Sequence, residues 1–292
     1  MTQPNETNVL AIDGGGTRCR IALGAGDDIT MVESGSANVS TDFDGGVAQI
    51  ETGLQALAAQ LGTTTDSLSP LPTFVGLAGV TGPEIANRLE EALPFATLHV
   101  SDDRPAALRG ALGSADGVIA HCGTGSFYGA QRDRRMRFSG GWGPVLGDEA
   151  SAQWIGRAAL ARTLETVDGR RPSSRLAEIL LAEHGGAAGI VRFAGAAHPA
   201  EFGQLAPRVT AQAREGDSLA RDIMTAGAAE IARSLPQIGW KAGQTICLTG
   251  GIGPEFAPYL PEALRAALAA PTGTPLDGAL SLARDLARGV TP

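Results

Sequence analysis

The chain has 292 residues, 43% of them hydrophobic and only 4% aromatic, with a formal net charge of −8. Its length and apolar content allow a substantial core and about two domains, and its 40 glycines follow no period, so neither a collagen-like nor a disordered chain fits. The acidic balance and the scarcity of aromatic rings argue against a nucleic-acid surface built from basic patches and stacking platforms.

The polar start "MTQPNETN" lacks the basic and apolar segments of a signal peptide, and no run approaches the ~20 apolar residues of a membrane span. The expectation is a cytoplasmic protein with no membrane partner. Cys19, Cys122 and Cys247 are far apart and form no Cys-x-x-Cys pair, which suggests neither a disulfide framework nor a metal cage. His99, His121, His184 and His198 form no spaced metal pattern either. The one lysine, Lys241, has the context of neither a Walker loop nor a protein kinase.

Six short runs read as strands: 8–13 (NVLAID), 19–24 (CRIALG), 73–79 (TFVGLAG), 97–102 (TLHVSD), 117–123 (GVIAHCG) and 244–251 (QTICLTGG). Between the first of them lie helical periods. In 44–62 the residues Val47, Ile50, Leu54, Leu57 and Leu61 step along one face, and 82–94 repeats at Ile85, Leu89 and Leu93 before Pro94. Alternating strands and helices in the first third predict an α/β layer architecture. The basic run 131–137 (QRDRRMR) reads as a solvated hairpin. After residue 148 the pattern turns mostly helical, with periods over 149–167, 173–185, 205–215, 217–235, 254–269 and 276–289.

Three glycine turns punctuate this plan. Residues 9–24 and 117–131 share an internal echo of apolar strand, glycine turn with a threonine, and second strand, while "CLTGGIG" (247–253) follows another strand. Such glycines serve hairpins with positive φ, or they let backbone N–H groups approach phosphate oxygens. The familiar nucleotide fingerprints fail: Gly-x-Gly-x-x-Gly breaks at Cys19, and no Gly-Lys dipeptide exists.

In order and separation, 11–18 (AIDGGGTR), 122–126 (CGTGS) and 248–253 (LTGGIG) resemble the two phosphate motifs and the adenosine motif of the actin, Hsp70 and sugar-kinase superfamily. The segment 140–157 (GGWGPVLGDEASAQWIGR) is similar to that of the N-acetylglucosamine kinase family, a branch grouped with the BadF/BadG/BcrA/BcrD ATPases. The resemblance covers most of the chain. It implies two ribonuclease-H-like (actin-like ATPase) domains around a central cleft holding ATP and sugar. The expected division is 1–112 with 276–292, the final helix returning, and a helix-rich 113–275.

The resemblance also assigns roles. Asp13 would bind Mg²⁺ through water, and Gly14, Gly15, Gly16 and Thr17 would cradle the outer phosphates of ATP. Gly123, Thr124 and Gly125 would grip them from the second domain, and Gly250 and Gly251 would lie against adenosine. Asp103 is the preferred catalytic base, with Asp102 as the alternative and Arg104–Pro105 replacing the family's usual small residues. Asn38, Gly141, Trp142, Gly143 and Asp148 would bind the sugar, though Trp142 also suits core packing, and Glu149 suits a first-turn helix acid as well as a metal helper.

The activity so implied is ATP-dependent phosphorylation of the 6-hydroxyl of N-acetylglucosamine or glucosamine by a homodimer. Two other classes compete. One is the ATPase activator of a 2-hydroxyacyl-CoA dehydratase, which needs cysteines for an iron–sulfur cluster. The other is a non-catalytic sugar-sensing regulator, which carries a helix-turn-helix where this chain has about ten polar residues before the first phosphate motif.

Overall fold

A computed structural model describes residues 7–15 and 18–290. The chain divides into two compact units, one running to Ser114 and resuming at Pro271, the other spanning Ala115–Ala270.

The first unit opens with an antiparallel meander of β1 (Val9–Gly14), β2 (Cys19–Ala25) and β3 (Asp28–Ser34). Helix α1 (Phe43–Gln60) follows, capped by Asp42, whose carboxylate accepts the Gly45 N–H. Its predicted stripe buries Ile50, Leu54 and Leu57. Strand β4 (Thr73–Leu77) pairs parallel with β1, α2 (Pro83–Ala92) crosses over, and β5 (Leu98–Ser101) pairs parallel with β4 before α3 (Arg104–Leu112). The sheet order is β3-β2-β1-β4-β5.

The second unit repeats the plan. Strands β6 (Gly117–Cys122), β7 (Ser126–Arg132) and β8 (Arg135–Gly140) form a meander, with the expected basic hairpin turning at Asp133 and Arg134. Then come α4 (Ala152–Val167), α5 (Arg175–His184), α6 (Ala187–Ala196), α7 (Pro199–Gly203), α8 (Ala206–Glu215) and α9 (Ser218–Ile238). Strand β9 (Thr245–Thr249) pairs parallel with β6, giving the order β8-β7-β6-β9. A 3₁₀ segment (Gly253–Tyr259) and α10 (Glu262–Arg265) end the unit, and α11 (Pro275–Ala287) belongs to the first. Both sheets are thus the same ribonuclease-H-like meander with a parallel strand added beside its first strand. That is the internal echo seen in the two glycine hairpins.

Some predicted elements differ. Residues 254–269 do not form one helix, because Pro258 and Pro261 lack the N–H groups an α-helix needs there. The helix expected from 149 starts at Ala152, since Asp148 and Ala150 hold φ of 61° and 64°, outside the helical range. Strand β3 escaped detection because it is an edge strand with an incomplete apolar pattern, and Ile29 and Met31 on it are exposed.

Helix α11 covers a face of the first sheet beside α3. The two helices approach so closely that a Cβ on Gly278 would lie 2.0 Å from the Ala106 carbonyl oxygen, and one on Gly110 would lie 2.0 Å from that of Thr274. Within this contact the buried Arg109 guanidinium donates to Asp285 Oδ2 at 2.7 Å and to Ser281 Oγ at 3.2 Å. In an open helix interior alanine is roughly 1 kcal/mol better than glycine. Here the clash reverses the sign: Gly278→Ala is expected to destabilise the first unit by about 2–3 kcal/mol. A lowered urea midpoint checks this, and a midpoint at or above wild type would refute the close contact.

Candidate active site

Strand β1 is fully buried from Val9 to Ile12, which explains its unbroken apolar run. Polarity enters at its end, where Asp13 shares by alternation the side of Val9 and Ala11. That side faces α11, because a Cβ on Gly24 would meet Val9 and Leu280 together. Helix α3 lies with α11, so Asp13 and the residue leading into α3, Asp103, face a common space. They line a cavity of about 170 Å³ with Gly14, Gly15, Arg18 and Arg20.

Arg20 stands directly across from Asp13 in the β1–β2 register and its Nη1 lies 3.5 Å from Asp13 Oδ2. Arg18 and Arg20 also pair with Glu33, at 3.8 and 3.6 Å. Burial pushes the Asp13 carboxyl above its usual value, and Arg20 and then Arg18 pull it partly back. The two arginines were absent from the residues expected at the site. Their signal was available: residues two apart, following a glycine turn into a strand, share one side of it.

The two adjacent aspartates have separate fates. Both oxygens of Asp102 are engaged by Arg104: Oδ1 accepts the Arg104 backbone N–H and Nε, each at 2.9 Å, and Oδ2 accepts Nη2 at 2.7 Å. Asp102 therefore serves the start of α3, and the unusual Arg104 is its counter-ion. Asp103 makes no side-chain cap. Burial, then the charges of Asp102 and Asp13, push its pKa up to about 6, against a smaller pull from its own backbone N–H and from Arg104.

Of the first glycine turn, Gly16 and Thr17 lie outside the described residues. Gly14 is a packing glycine, since a Cβ would sit 2.4 Å from Leu77 Cδ2. The Gly15 N–H is spent on the Arg18 carbonyl at 2.9 Å, and the Gly15 carbonyl accepts from Ala37 at 3.2 Å, which brings the Asn38 segment against the turn. Asn38 Oδ1 accepts from Ser40 N and Oγ, so the carbonyl end of this amide is already used.

In the second unit the Gly123 N–H bonds the Gly125 carbonyl at 2.8 Å, closing the turn, and Thr124 at its tip is exposed. Gly250 holds φ of 78° and abuts the Cys122–Gly123 peptide, where a Cβ would fall 2.3 Å from the Cys122 carbonyl oxygen. Only glycine permits that contact. Beside Gly251 the space is open. His121, just before the turn, bonds Thr249 Oγ1 through Nδ1, and burial lowers its pKa to about 4, so it is neutral.

The segment 140–150 is tied to the same turn. Gly141 N–H donates to the Ser126 carbonyl, Ser126 Oγ donates to the Glu149 carbonyl at 2.6 Å, and Asp148 accepts from Ser126 N and from Gln153 Nε2 at 2.6 Å. Asp148 is buried, and desolvation raises its pKa against the pull of hydrogen bonds from Ser126, Gly143 and Gln153. Trp142 is 75% exposed, which removes core packing as its role. The structure thus gathers Asp13, Gly14, Gly15 and Asp103 in the first unit, and Gly123, Gly125, Gly141, Asp148 and Gly250 in the second.

A family model described as the BadF/BadG/BcrA/BcrD ATPase family matches residues 10–262. This chain belongs to that family. Among related members, a Vibrio cholerae glucosamine kinase is 27% identical over 94% of this chain and 95% of its own. An N-acetylmuramic acid/N-acetylglucosamine kinase of Clostridium acetobutylicum is 30% identical over 56% of this chain and 55% of its own. The crystal structure of a Chromobacterium violaceum protein, provisionally named an N-acetylglucosamine kinase, is 33% identical and superposes with a TM-score of 0.82, covering 96% of this chain and 100% of the other. Among the described residues, no helix of this ATPase-family chain is long and apolar enough to cross a membrane.

The raised Asp103 pKa carries a stability consequence. A carboxyl whose folded pKa lies above its unfolded value favours folding at low pH and opposes it once ionised. In the ligand-free protein Asp103→Asn is therefore expected to stabilise the fold by about 2 kcal/mol above pH ~6, a gain that fades toward pH ~4. Urea unfolding of both proteins across that range tests it, and a gain over wild type no larger at pH 8 than at pH 4 would refute the desolvated charge.

Proposed function

We propose that this chain is an ATP-dependent amino-sugar kinase that phosphorylates the 6-hydroxyl of N-acetylglucosamine or glucosamine, with Asp103 as general base. The observation that carries the reading is Asp103, a carboxylate that makes no cap and is tuned upward to about 6 beside Asp13 and two arginines. A general base works best with a pKa near the operating pH, and desolvation of a carboxylate beside other negative charge is one way of raising it. Phosphoryl transfer otherwise needs alignment and charge neutralisation more than covalent help. The relatedness over nearly the full chain to proteins named as amino-sugar kinases agrees with this assignment.

In the reaction, Asp103 would accept the proton of the sugar hydroxyl as its oxygen bonds the γ-phosphorus. The bond from that phosphorus to the β-phosphate bridging oxygen breaks, and ADP leaves. Arg18 and Arg20 would face the incoming phosphate charge. The Gly123–Gly125 turn would hold phosphate through its exposed tip, Gly251 would leave room for adenosine, and Gly141–Gly143 with Asp148 would order the sugar hydroxyls.

The donor set suits Mg²⁺. Two partly buried carboxylates facing one cavity supply hard oxygen ligands, and no trio of His, Cys, Asp or Glu forms a closed cage among the described residues. An ion held there by Asp13 would keep several waters and take the rest of its shell from phosphate. Bound, it would neutralise phosphate charge, while Asp103 moves the proton. The reading includes a homodimer with a small-molecule sugar as its partner. The redox-activator alternative finds no exposed thiol: Cys19, Cys122 and Cys247 are all buried, and burial pushes the first two up to about 12.

ADP release with ATP and Mg²⁺ against a panel of hexoses and amino sugars tests the assignment. Glucosamine or N-acetylglucosamine should stimulate release, and the product should resist periodate release of formaldehyde from C6. Asp103→Asn should lower kcat about 10²–10⁴-fold, with Asp102→Asn costing far less. Wild-type kcat/KM should rise with pH through ~6 as the base ionises. An active Asp103→Asn would remove Asp103 from the chemistry, and no stimulation by any sugar would end the kinase reading.

A further inference from the structure

The central strands of the two units end alike. In the first, Asp13 is the fifth of the six residues of β1, stands opposite Arg20 of β2 and Gly76 of β4, and leads directly into the glycine turn. In the second, His121 is the fifth of the six residues of β6, stands opposite Phe127 of β7 and Thr249 of β9, and the turn begins at Gly123. The side of the sheet corresponds as well. Leu10 and Ile12 join the core that includes Ile50 and Leu57 of α1, and Val118, Ala120 and Cys122 join the core that includes Ile223 and Ile231 of α9. By alternation, Asp13 and His121 each point to the other side of their own sheet. One place in a repeated plan thus carries a carboxylate in the first unit and an imidazole in the second.

The imidazole is fixed from two sides. Its ring stacks on Phe127 with centroids 4.8 Å apart, and Phe127 meets Phe138 edge-on at 6.3 Å. Its Nδ1 lies 3.1 Å from Thr249 Oγ1. Burial keeps the ring neutral, and a neutral imidazole has one N–H and one lone pair. With the Thr249 hydroxyl donating to Nδ1, the ring N–H lies on Nε2. That atom is the part of the ring nearest the turn: a Cβ on Gly123 would sit 3.2 Å from Nε2 and 3.9 Å from Cδ2. Nε2 makes no hydrogen bond with a described residue, and the ring is only partly buried. The turn itself is short of donors, since the Gly123 N–H is spent on the Gly125 carbonyl and the Ser126 N–H on Asp148.

We propose that His121 binds the phosphate chain of ATP, its Nε2–H donating to an oxygen of the β- or γ-phosphate held at the Gly123–Gly125 turn, with Thr249 fixing the tautomer. This rests on the reading of that turn as a phosphate holder and names a residue which that reading leaves out. A second carboxylate in this place would repel phosphate, whereas a neutral ring supplies a donor and no negative charge. Thr249 is also the last residue of β9 before Gly250 and Gly251. The same hydrogen bond therefore ties the strand leading to the expected adenosine turn to the one leading to the phosphate turn.

Binding of ATP with Mg²⁺, by calorimetry, and of AMP, by displacement of ATP, tests this in three variants. The amide nitrogen of glutamine reproduces Nε2, that of asparagine reproduces Nδ1, and phenylalanine keeps only the stack on Phe127. His121→Phe and His121→Asn should each weaken ATP binding about 10–100-fold, the scale of one hydrogen bond to a charged group. AMP, which has no β- or γ-phosphate, should weaken less than about threefold, and His121→Gln should bring ATP affinity back to within about fivefold of wild type. A misfolded fraction lowers the binding stoichiometry and leaves the ratio of the two affinities unchanged. Four results overturn the proposal: unchanged ATP affinity in His121→Phe, affinity retained by His121→Asn, His121→Gln as weak as His121→Phe, or equal weakening of ATP and AMP. With any of them, ADP release stimulated by a sugar leaves the kinase reading standing. ATP weakened as expected in a protein whose ATP turnover no sugar stimulates supports His121 and ends the kinase reading. A wild-type protein that binds no ATP overturns both.

Discussion

The contact between α3 and α11 is the constraint on which the first unit depends. A helix from the end of the chain is inserted beside one that precedes residue 113, with Gly110 and Gly278 each facing backbone of the other segment at distances no side chain tolerates. The small residues Ala106, Ala107, Ala111, Ala279 and Ala283 are buried in these same two helices. Within that apolar setting the Arg109–Asp285 pair is desolvated on both sides, and a one-residue slip of α11 would leave two uncompensated charges. Breaking such a pair is far more unfavourable than its net contribution is favourable, so it sets the register more than it adds stability. What it positions is the start of α3, where Asp103 stands.

Around that start, charge is arranged by pairing some groups and withholding partners from others. Asp102 is fully occupied by Arg104, whereas Asp103, one residue later, has no comparable partner and meets the negative charge of both Asp102 and Asp13. Two neighbouring residues of one type thereby reach different protonation behaviour through environment alone. Across the β-hairpin, Asp13 has Arg20 opposite it and is pulled back toward its ordinary value. The second unit uses the same device differently: Asp148 is buried but surrounded by donors, and it locks the 140–150 segment to the Gly123–Ser126 turn. The left-handed backbone at Asp148 and Ala150 is the local strain that this lock sustains.

The glycines divide into two groups that look alike in the sequence. Gly14, Gly125 and Gly250 are glycines because protein atoms occupy the place of a side chain: Leu77 at the first, the Asp148 carboxylate at the second and the Cys122–Gly123 peptide at the third. Gly251 faces open space. Of the amides expected to meet phosphate, that of Gly15 is spent within its own hairpin. The motifs therefore act first as joints that let strands and turns touch, and only some of their members face open space.

Much of this protein was legible in the chain itself. Strands buried on both faces over most of their length leave near-continuous apolar runs, so β1, β4, β6 and β9 could be read directly, and the repeated strand–glycine–strand pattern foreshadowed two sheets of one plan. The ordered glycine turns and the 140–157 segment indicate the family. Edge strand β3 and the broken 254–269 segment were not legible, because an edge needs only half an apolar pattern and proline overrides helical spacing. The different surroundings of two adjacent carboxylates and the arginines facing Asp13 depend on which side chains from distant segments share one space. Sequence determines periodicity, backbone permission and the order of motifs, since these are local. Protonation, pairing and the shape of a cavity follow from desolvation by neighbours far along the chain, and only the tertiary structure decides them.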